Sequence, residues 1–363
     1  MTATGAALGT EVLDFDLNLQ PGEFYTAVAY GEVAAILPLA LVDDYENIAT
    51  TDVRLVVGHT ADGVGTVDVY DFGSGGLLVA DLDYGTTETL DVLDEARVVG
   101  LDADQDGTVD FLFDVPVLGG SLVNVFAVLP SGGPVLVAQF DDGTTVVLDA
   151  ILPARIRVLH ASPDAPAVDV FVDDAASGID NLGFTEGTPY VSFFPGLYNF
   201  KVSPTGTTVN DAVLDFDVDM AEGVQYSAVA YGNVANILPL ALADDDAGIA
   251  AGATRLQLGH LADGVGTVSI GILGGAGFEN IDGVEYCGTA ASVELCTATT
   301  EYQAGQITLT LNVTGGVIAD FFFTIPNLGG DILVNAFIVL DEAGEPIVLA
   351  HLPDGSTTTI SAL

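Results

Sequence analysis

Apolar and polar residues alternate along much of this chain. In residues 214–220, four large apolar residues occupy every second position, and the three positions between them are aspartates. Residues 13–19 repeat the pattern, with leucine and phenylalanine set against aspartate and asparagine. A period of two predicts β-strands with one buried face and one acidic face. Glycine-rich turns such as DG, GG and PSGG separate these runs, which predicts antiparallel strands.

A longer repeat is superimposed on the strand pattern. Arg54, Arg155 and Arg255 each precede a histidine by five residues, so one copy follows another after 101 and then 100 residues. Residues 12–49 also match residues 213–250 at a constant offset of 201. That match begins in the middle of the domain that opens at Arg155. The order of domains is therefore half of a type A domain, then B, A and B.

These patterns predict an all-β chain of tandem immunoglobulin-like antiparallel β-sandwich domains, of which the first is incomplete. We expect no helix longer than two turns. The predicted ranges are 1–50 for the C-terminal half of a type A domain, 51–153 for a type B domain, 154–251 for a type A domain, and 252–363 for a type B domain with a cysteine-containing hairpin insertion.

The second type A domain resembles a known family. It contains RVLHASPDAPAVDVFVDD from Arg157, then YVS at residues 190–192, then PGLYNFKVSPTGT and YSAVAYG. These motifs resemble domain-of-unknown-function family 4397 over residues 155–245, and over 12–45 for its second half. The resemblance implies a β-sandwich module of secreted and cell-surface bacterial and archaeal proteins, often in tandem and without established activity. The type B units share only the opening strand and its histidine.

Charge excludes several classes of partner. The chain has 52 acidic and 6 basic residues, a formal net charge of −46. Nucleic acid is not expected as a ligand because phosphate binding needs a basic surface, and an anionic membrane is disfavoured for the same reason.

No apolar stretch reaches the roughly 18 residues of a membrane span. The start lacks a signal-peptide pattern, so an exported protein would be represented here by its mature chain or a fragment.

A histidine recurs once per domain, at His59, His160 and His260. In two copies an aspartate follows nine residues later, and in the third a serine. A catalytic His–Asp dyad is conceivable, but no nucleophile recurs with it. We favour a structural role, with each histidine hydrogen-bonded at the end of a sandwich. His351, which stands where the other type B unit has Gln139, is expected at the surface.

One acidic loop follows the spacing of a calcium site. The sequence DADQDGTVD begins at Asp102 and has glycine at its sixth position. The candidate ligands are Asp102, Asp104, Asp106, Thr108 and Asp110. Alternate oxygen-bearing side chains around a tight turn suit Ca²⁺ better than Mg²⁺. Phe113 replaces the usual glutamate at position twelve, so the prediction is a calcium-bound β-loop, and a solvated acidic turn is the alternative.

The type B insertion contains the two cysteines of the chain, Cys287 and Cys296. In a secreted protein this pair predicts a disulfide that closes a hairpin. A metal site is a weaker alternative because no histidine or further cysteine lies nearby in sequence. Asn312 in the sequence NVT is a possible glycan acceptor.

Architecture and charge indicate a structural role. A sandwich that lacks its first strands exposes apolar edges, and another chain can complete it by strand donation. We therefore expect a secreted subunit of an extracellular filament or cell-surface array, with copies of itself as partners. The alternative is the stalk or adhesin-type binding module of a surface-anchored protein, with the host cell surface as partner. No catalytic motif is present, and enzymatic activity is not expected.

Overall fold

The computed structural model describes residues 13–119, 121–274, 277–313 and 319–363. Its secondary structure is almost entirely strand. The chain divides into two compact units, one ending at Pro153 and one spanning Ala154–Leu363. None of the helices in the described part of the chain has the length and apolar character of a membrane span. The predicted all-β fold with tandem sandwiches is confirmed.

The first unit consists of a hairpin and a sandwich. The hairpin joins β1 (Phe24–Tyr30) to β2 (Leu37–Asp43). The sandwich strands are β3 (Asp52–His59), β4 (Val67–Asp71), β5 (Gly76–Leu82), β6 (Thr87–Leu93), β7 (Arg97–Asp102), β8 (Phe111–Val115), β9 (Leu122–Val128), β10 (Val135–Phe140) and β11 (Thr145–Asp149). One sheet has the order β11-β10-β9-β3-β6, and the other has the order β5-β4-β7-β8.

The second unit begins with a complete type A sandwich. Its strands are β12 (Ala154–Ala161), β13 (Val168–Val172), β14 (Ala175–Ala176), β15 (Val191–Phe193), β16 (Gly196–Pro204), β17 (Leu214–Met220), β18 (Gln225–Tyr231) and β19 (Leu238–Ala243). The two sheets have the orders β15-β12-β18-β19 and β14-β13-β16-β17. The hairpin β18–β19 is the counterpart of β1–β2 in the first unit.

A type B sandwich completes the second unit. Its elements are β20 (Ala253–His260), β21 (Val268–Gly274), β22 (Gly277–Val284), α1 (Val293–Cys296), β23 (Thr297–Gln303), β24 (Ile307–Asn312), β25 (Phe321–Ile325), β26 (Ile332–Leu340), β27 (Pro346–His351) and β28 (Thr357–Ser361). Its sheets, β23-β20-β26-β27-β28 and β22-β21-β24-β25, repeat the topology of the first type B sandwich. Three-residue 3-10 turns occupy Val33–Ala35, Val209–Asp211 and Val234–Asn236.

In the residues that the structure describes, each sandwich contains one parallel strand pair within an otherwise antiparallel sheet. These pairs are β3 with β9, β12 with β18, and β20 with β26. Strands of the opposite sheet intervene in the sequence between the members of each pair. Such a long connection allows the chain to re-enter the first sheet in the original direction, whereas a short hairpin would require antiparallel pairing.

The strand β26 is buried on both faces. Val334, Ala336 and Ile338 face the core of their own sandwich, while Phe337 and Val339 pack against the outer sheet of the type A sandwich. Because alternate residues point to opposite faces, a strand covered on both sides is apolar at nearly every position. The first unit has the same arrangement, in which the hairpin β1–β2 covers the outer face of β3 and β9.

Candidate functional site

The two sandwiches of the second unit share a buried polar cluster where their outer sheet faces meet. Its centre is Asp244, which follows β19 and is 7% exposed. Ser227 of β18 donates its hydroxyl to the Asp244 carboxylate (2.8 Å), and Asn335 of β26 donates its amide to it (2.9 Å). Arg157 of β12 donates Nε to the Ser227 hydroxyl (2.8 Å), and its Nη2 lies 3.6 Å from the Asp244 carboxylate. Three strands from two sandwiches therefore surround one buried carboxylate.

Tyr190 and His351 close this cluster. The Tyr190 hydroxyl donates to the Asp244 carboxylate, and its ring lies 4.7 Å from the guanidinium carbon of Arg157, within cation–π distance. Burial, followed by the charge of Asp244, raises the pKa of Tyr190 well above its usual value. Arg157 also donates Nη1 to the His351 carbonyl (3.3 Å). Burial and the positive Arg157 lower the pKa of His351 to about 3, so its ring is neutral at neutral pH.

His351 is fully buried, and the expectation that it lies at the surface is wrong. Its Nε2 lies 3.0 Å from the Thr188 carbonyl, in a type A loop that passes directly over it. A Cβ added to Gly355 would collide with Thr188 and Pro189 of the same loop. The cover comes from the neighbouring sandwich, so the local sequence of β27 could not reveal it.

The first unit contains the same cluster in a reduced form. Asp43, the last residue of β2, is 8% exposed and accepts hydrogen bonds from the Thr26 hydroxyl (2.9 Å) and the Asn124 amide (3.2 Å). These residues occupy the positions of the serine, aspartate and asparagine of the second unit, because β1, β2 and β9 repeat β18, β19 and β26. Among the described residues, no basic side chain pairs with Asp43 and no tyrosine hydroxyl donates to it. The places of Arg157 and Tyr190 have no described counterpart.

Several apolar positions are more exposed in the first unit than at the equivalent positions of the second unit. Leu19 is 60% exposed and Leu17 is 40% exposed, whereas their counterparts Met220 and Val218 are 1% and 5% exposed. Two alanines of β1 are likewise exposed, while the alanines in their places on β18 are buried. In the described part of the first unit, these apolar positions therefore face solvent.

The adjoining face of the type B sandwich is also more open in the first unit. Val137 and Gln139 of β10 are half-buried, whereas their counterparts Leu349 and His351 on β27 are fully buried. A Cβ added to Gly143 would meet no atom within 4 Å, although the equivalent glycine of the second unit is tightly covered. Positions that are buried in the second unit are thus more exposed in the first unit, both around its first hairpin and on the outer sheet of its type B sandwich. We call β1, β10 and residues 17–19 together the acceptor face.

Sequence reasoning missed the polar cluster, although the sequence carried a signal for it. Asn124 and Asn335 each interrupt an apolar run at the same repeat position, as LVNVF and LVNAF. Asp43 and Asp244 likewise follow the repeated segment LPLAL. A polar residue at a repeated position within a buried run requires a hydrogen-bonding partner. The partners, however, lie on strands far away in sequence.

The recurring arginines of the type B domains hold the segment that enters each domain. Arg54 donates to the carbonyls of Asp44 and Glu46 (2.9 and 3.1 Å) and forms a bidentate pair with Asp91. Arg255 donates to the carbonyls of Asp245 and Ala247 in the second unit, and two of its nitrogens donate to one carboxylate oxygen of Glu301. Each arginine therefore fixes the connection between a type A hairpin and its type B sandwich.

The recurring histidines are buried at the ends of their first strands. The Nε2 atoms of His59, His160 and His260 lie 2.7, 3.1 and 2.9 Å from the backbone carbonyl six residues ahead. Burial lowers the pKa of His160 and of His260, which favours their neutral form. A neutral ring with its proton on Nε2 donates to that carbonyl. In this arrangement each histidine holds the turn that follows its strand.

The aspartate loop lies between β7 and β8. Asp102 is buried, and its carboxylate accepts the backbone N–H groups of Gln105 (2.7 Å) and Gly107 (2.9 Å). The carboxylates of Asp104 and Asp106 each accept a backbone N–H two residues ahead. Gly107 has a positive φ of 86°, which glycine adopts without strain. The loop is therefore shaped by its own side chains.

Three of the predicted ligands converge in this loop. One carboxylate oxygen from each of Asp102, Asp104 and Asp106 lies within 4.8 Å of the others. Asp110 instead directs its carboxylate to the backbone N–H of Ala103 (2.9 Å), and Thr108 donates its own N–H to Asp106. The converging donors are all hard oxygen atoms, which fits the ligand chemistry of Ca²⁺.

The family comparison identifies part of the second unit. The family described as "Domain of unknown function (DUF4397)" matches residues 154–271. The chain is similar to the DUF4397 family over this segment. The DUF4397 segment covers the type A sandwich and extends to β21, and it contains Arg157, Tyr190 and Asp244 of the polar cluster. No protein of curated function matches the chain.

Two solved structures show weak similarity to most of the chain. The Bacillus anthracis TIE protein has 9% identity and a TM-score of 0.17, with 94% of this chain and 68% of that chain covered. The pilus adhesin SpaC from Lactobacillus rhamnosus GG has 10% identity and a TM-score of 0.15, with coverage of 89% and 42%. These scores are too low for either structure to indicate a function for this chain.

The cysteine insertion lies outside the DUF4397 segment. Cys287 and Cys296 form the predicted disulfide, which joins the segment after β22 to the last residue of the short helix α1. Asn312 is the last residue of β24 and pairs in register with Ser269 of β21. Its role as a glycan acceptor stays a prediction.

Proposed function

We propose that this protein is a structural subunit of an extracellular filament or cell-surface array, joined to its neighbours by β-strand completion. The observation that carries this proposal is the acceptor face of the first unit. Leu19 is 60% and Leu17 is 40% exposed there, while the same positions of the complete type A sandwich are buried. Covering such a face removes apolar area from water, and pairing the edge of β1 satisfies its backbone groups.

The composition and the disulfide support an extracellular location. Disulfides persist mainly in oxidising compartments. The net charge of −46 keeps separate copies soluble through mutual repulsion, which salt or divalent cations reduce. Assembly in a salt-containing exterior is consistent with both features. The proposed role is structural and non-enzymatic.

We further propose that the loop of Asp102, Asp104 and Asp106 binds Ca²⁺. Three carboxylates held close together repel one another, and a divalent cation relieves this repulsion. Extracellular calcium modules bind in the range of about 0.1–1 mM, so the loop would respond to the calcium of an extracellular medium. Calcium at this position would stabilise the connection between β7 and β8.

Negative-stain electron microscopy together with the mass in solution tests the structural proposal. Purified chain is examined with calcium and with chelator. A Leu19→Asp variant places a charge on the acceptor face, and Leu77→Asp is the matched control because Leu77 is an exposed leucine of β5. We expect filaments of regular width from the wild type and from the control, and loss of filaments in Leu19→Asp.

Two outcomes contradict the proposal. Monodisperse monomers of the wild type under all conditions would refute self-assembly and favour a stalk or adhesin module. Equal filament formation by Leu19→Asp would show that assembly uses another surface. Filaments that disappear only in chelator would place the calcium loop near a junction between subunits.

A further inference from the structure

The type B sandwich of the first unit contains an apolar cavity between its two sheets. The volume of this cavity is about 50 Å³. Aliphatic side chains from both sheets line it, among them Leu55, Val57, Leu90 and Val92 from one sheet and Val69 and Val99 from the other. Protein interiors contain few voids larger than a water molecule, so a cavity of this size is a distinct feature of the sandwich. Apolar cavities stay dry and take up small apolar molecules.

The type B sandwich of the second unit fills the same space with larger side chains. The strand registers place Tyr302 at the position of Val92 and Ile307 at the position of Arg97. Tyr302 is 9% exposed and Ile307 is 2% exposed, and both belong to the core. Other positions are half-buried in the first sandwich and filled by a larger, buried residue in the second, namely Val57 and Leu258, Val99 and Leu309, Val115 and Ile325, and Ala127 and Ile338. The cavity therefore results from the side chains of this sandwich and is not a general property of the fold.

The two edge strands beside the cavity, β5 and β6, are also less regular than their counterparts. The register of β5 with β4 shifts twice, and the second shift falls at Leu78, which is half-buried and lines the cavity. The described register of β22 with β21 shifts once. In the second unit, the Thr300 hydroxyl of β23 also donates to the Glu279 carboxylate of β22 (2.5 Å), which links the two edge strands. A bulge bends and twists its strand, so the first sandwich is less tightly closed along this side.

The charged residues that line the cavity lie at one end of it, in and beside the turn between β6 and β7. They are Asp94, Glu95 and Arg97. The Arg97 guanidinium is already paired, since it lies 3.4 Å from the Asp71 carboxylate and 3.8 Å from that of Glu95. The Glu95 side chain is 62% exposed, so this end of the cavity borders water. One arginine and three carboxylates give this end a negative charge, which favours a cation over an anion.

We infer that this cavity binds a linear aliphatic chain with an ammonium head group. The volume corresponds to about four water-sized groups, and a methylene is close to that size, so about four carbons of the chain fit between the sheets. The ammonium group lies at the charged end, where Asp94 and Glu95 offset its charge. The inference concerns the interior of one sandwich and does not depend on self-assembly.

The first test uses the full chain with ¹³C-labelled valine and leucine methyl groups, titrated with primary alkylammonium ions from propylammonium to octylammonium. NMR spectra report which methyl groups shift and how tightly each ion binds. Burial of one methylene corresponds to about a fourfold gain in affinity. We expect this gain for each carbon until about four are buried and a constant affinity thereafter, with shifts at Val92 and Val99. A steady gain up to octylammonium, or no shift at these two residues, would overturn the inference.

Variants of Val92 test whether the ligand occupies the cavity. Val92→Phe places a ring where the second sandwich has Tyr302, and Val147→Phe is the matched control because Val147 is 58% exposed on β11. We expect Val92→Phe to weaken hexylammonium binding by about tenfold or more, since the buried methylenes lose their place, and the control to bind like the wild type. Val92→Ala enlarges the cavity, so the affinity should level off about one or two carbons later. This variant decides the matter even if Val92→Phe does not fold. Unchanged binding and an unchanged plateau in the Val92 variants would place the ligand elsewhere.

The head group is tested with hexylammonium, hexanol and hexanoate, which share one chain length. At low ionic strength we expect the ammonium ion to bind most tightly and the carboxylate most weakly. Glu95→Gln is expected to weaken hexylammonium binding by about two- to fivefold and to leave hexanol unchanged. Glu88→Gln is the matched control, because Glu88 is an exposed residue of β6 that does not line the cavity. Hexanoate that binds as tightly as hexylammonium, or equal losses in the two glutamate variants, would overturn the assignment of an ammonium head group.

Discussion

His351 provides a direct test of the buried interface between the two sandwiches of the second unit. Its ring is fully buried between β27 and a type A loop, with Arg157 and Asp354 as its charged neighbours. Burial is the larger cause of its low pKa, and the positive Arg157 is the second. Replacement by glutamine introduces the residue that the first unit has at this position, Gln139, and removes the titrating group.

The expected size of the effect follows from proton linkage. The unfolded chain binds a proton on this histidine near pH 6.5, while the folded state resists protonation until about pH 3. Because the folded-state pKa is depressed, the contribution is fully present above pH 6.5 and is lost as the pH falls toward 3. The loss between pH 7 and pH 5 is about 2 kcal/mol. In a unit of this size, that corresponds to about 4–8 °C in the melting temperature.

The assay is urea unfolding followed by circular dichroism at pH 7 and pH 5, on the wild type and on His351→Gln. We expect the free energy of unfolding of the second unit to fall by about 2 kcal/mol more in the wild type than in the variant. Gln139→His is the matched control, because it places a histidine on the half-buried equivalent surface of the first unit. This variant should add much less pH dependence to the free energy of unfolding of the first unit. Equal pH dependence in the wild type and His351→Gln would refute the buried, neutral histidine.

Three further predictions concern the cluster, the insertion and the aspartate loop. Arg157→Met is expected to destabilise the second unit by about 3–5 kcal/mol in urea unfolding because Asp244 loses its cation, and a loss below 1 kcal/mol would contradict this. Reduction of the Cys287–Cys296 disulfide is expected to cost about 2–3 kcal/mol, and an unchanged melting temperature in reductant would contradict it. Calcium at millimolar concentration is expected to raise the melting temperature of the first unit, and the double variant of Asp104→Asn with Asp106→Asn should abolish this rise. An equal rise in the variant would place calcium elsewhere.

The strands and the repeat could be predicted because they depend on local pattern. The alternation in residues 214–220 appears as β17, and the turn glycines separate strands as expected. Residues 13–19 carry the same alternation, yet they form no strand. The difference lies in the partner, since β17 pairs with β16, which has no described counterpart in the first unit. A strand is stabilised by the strand beside it. An alternating pattern therefore shows that a segment can form a strand, but not that it does.

The candidate sites likewise fall into those that the sequence predicted and those that it did not. The disulfide and the convergence of Asp102, Asp104 and Asp106 involve residues close together in the chain, where spacing alone constrains geometry. The polar cluster joins Arg157 to Asn335, which are far apart in sequence, so nothing local indicated their contact.

The sequence by itself therefore determined the strand pattern, the alternating A and B repeat, the acidic surface and the local loop sites. These follow from periodicity, composition and short-range spacing. The tertiary structure alone decided that the outer sheets of A and B pack together, that His351 is buried and neutral, and that Asp244 is paired while Asp43 is only half surrounded. Each of those facts depends on which surface a neighbouring sandwich covers. That cover comes from a segment far away in the sequence, so no local pattern predicts it.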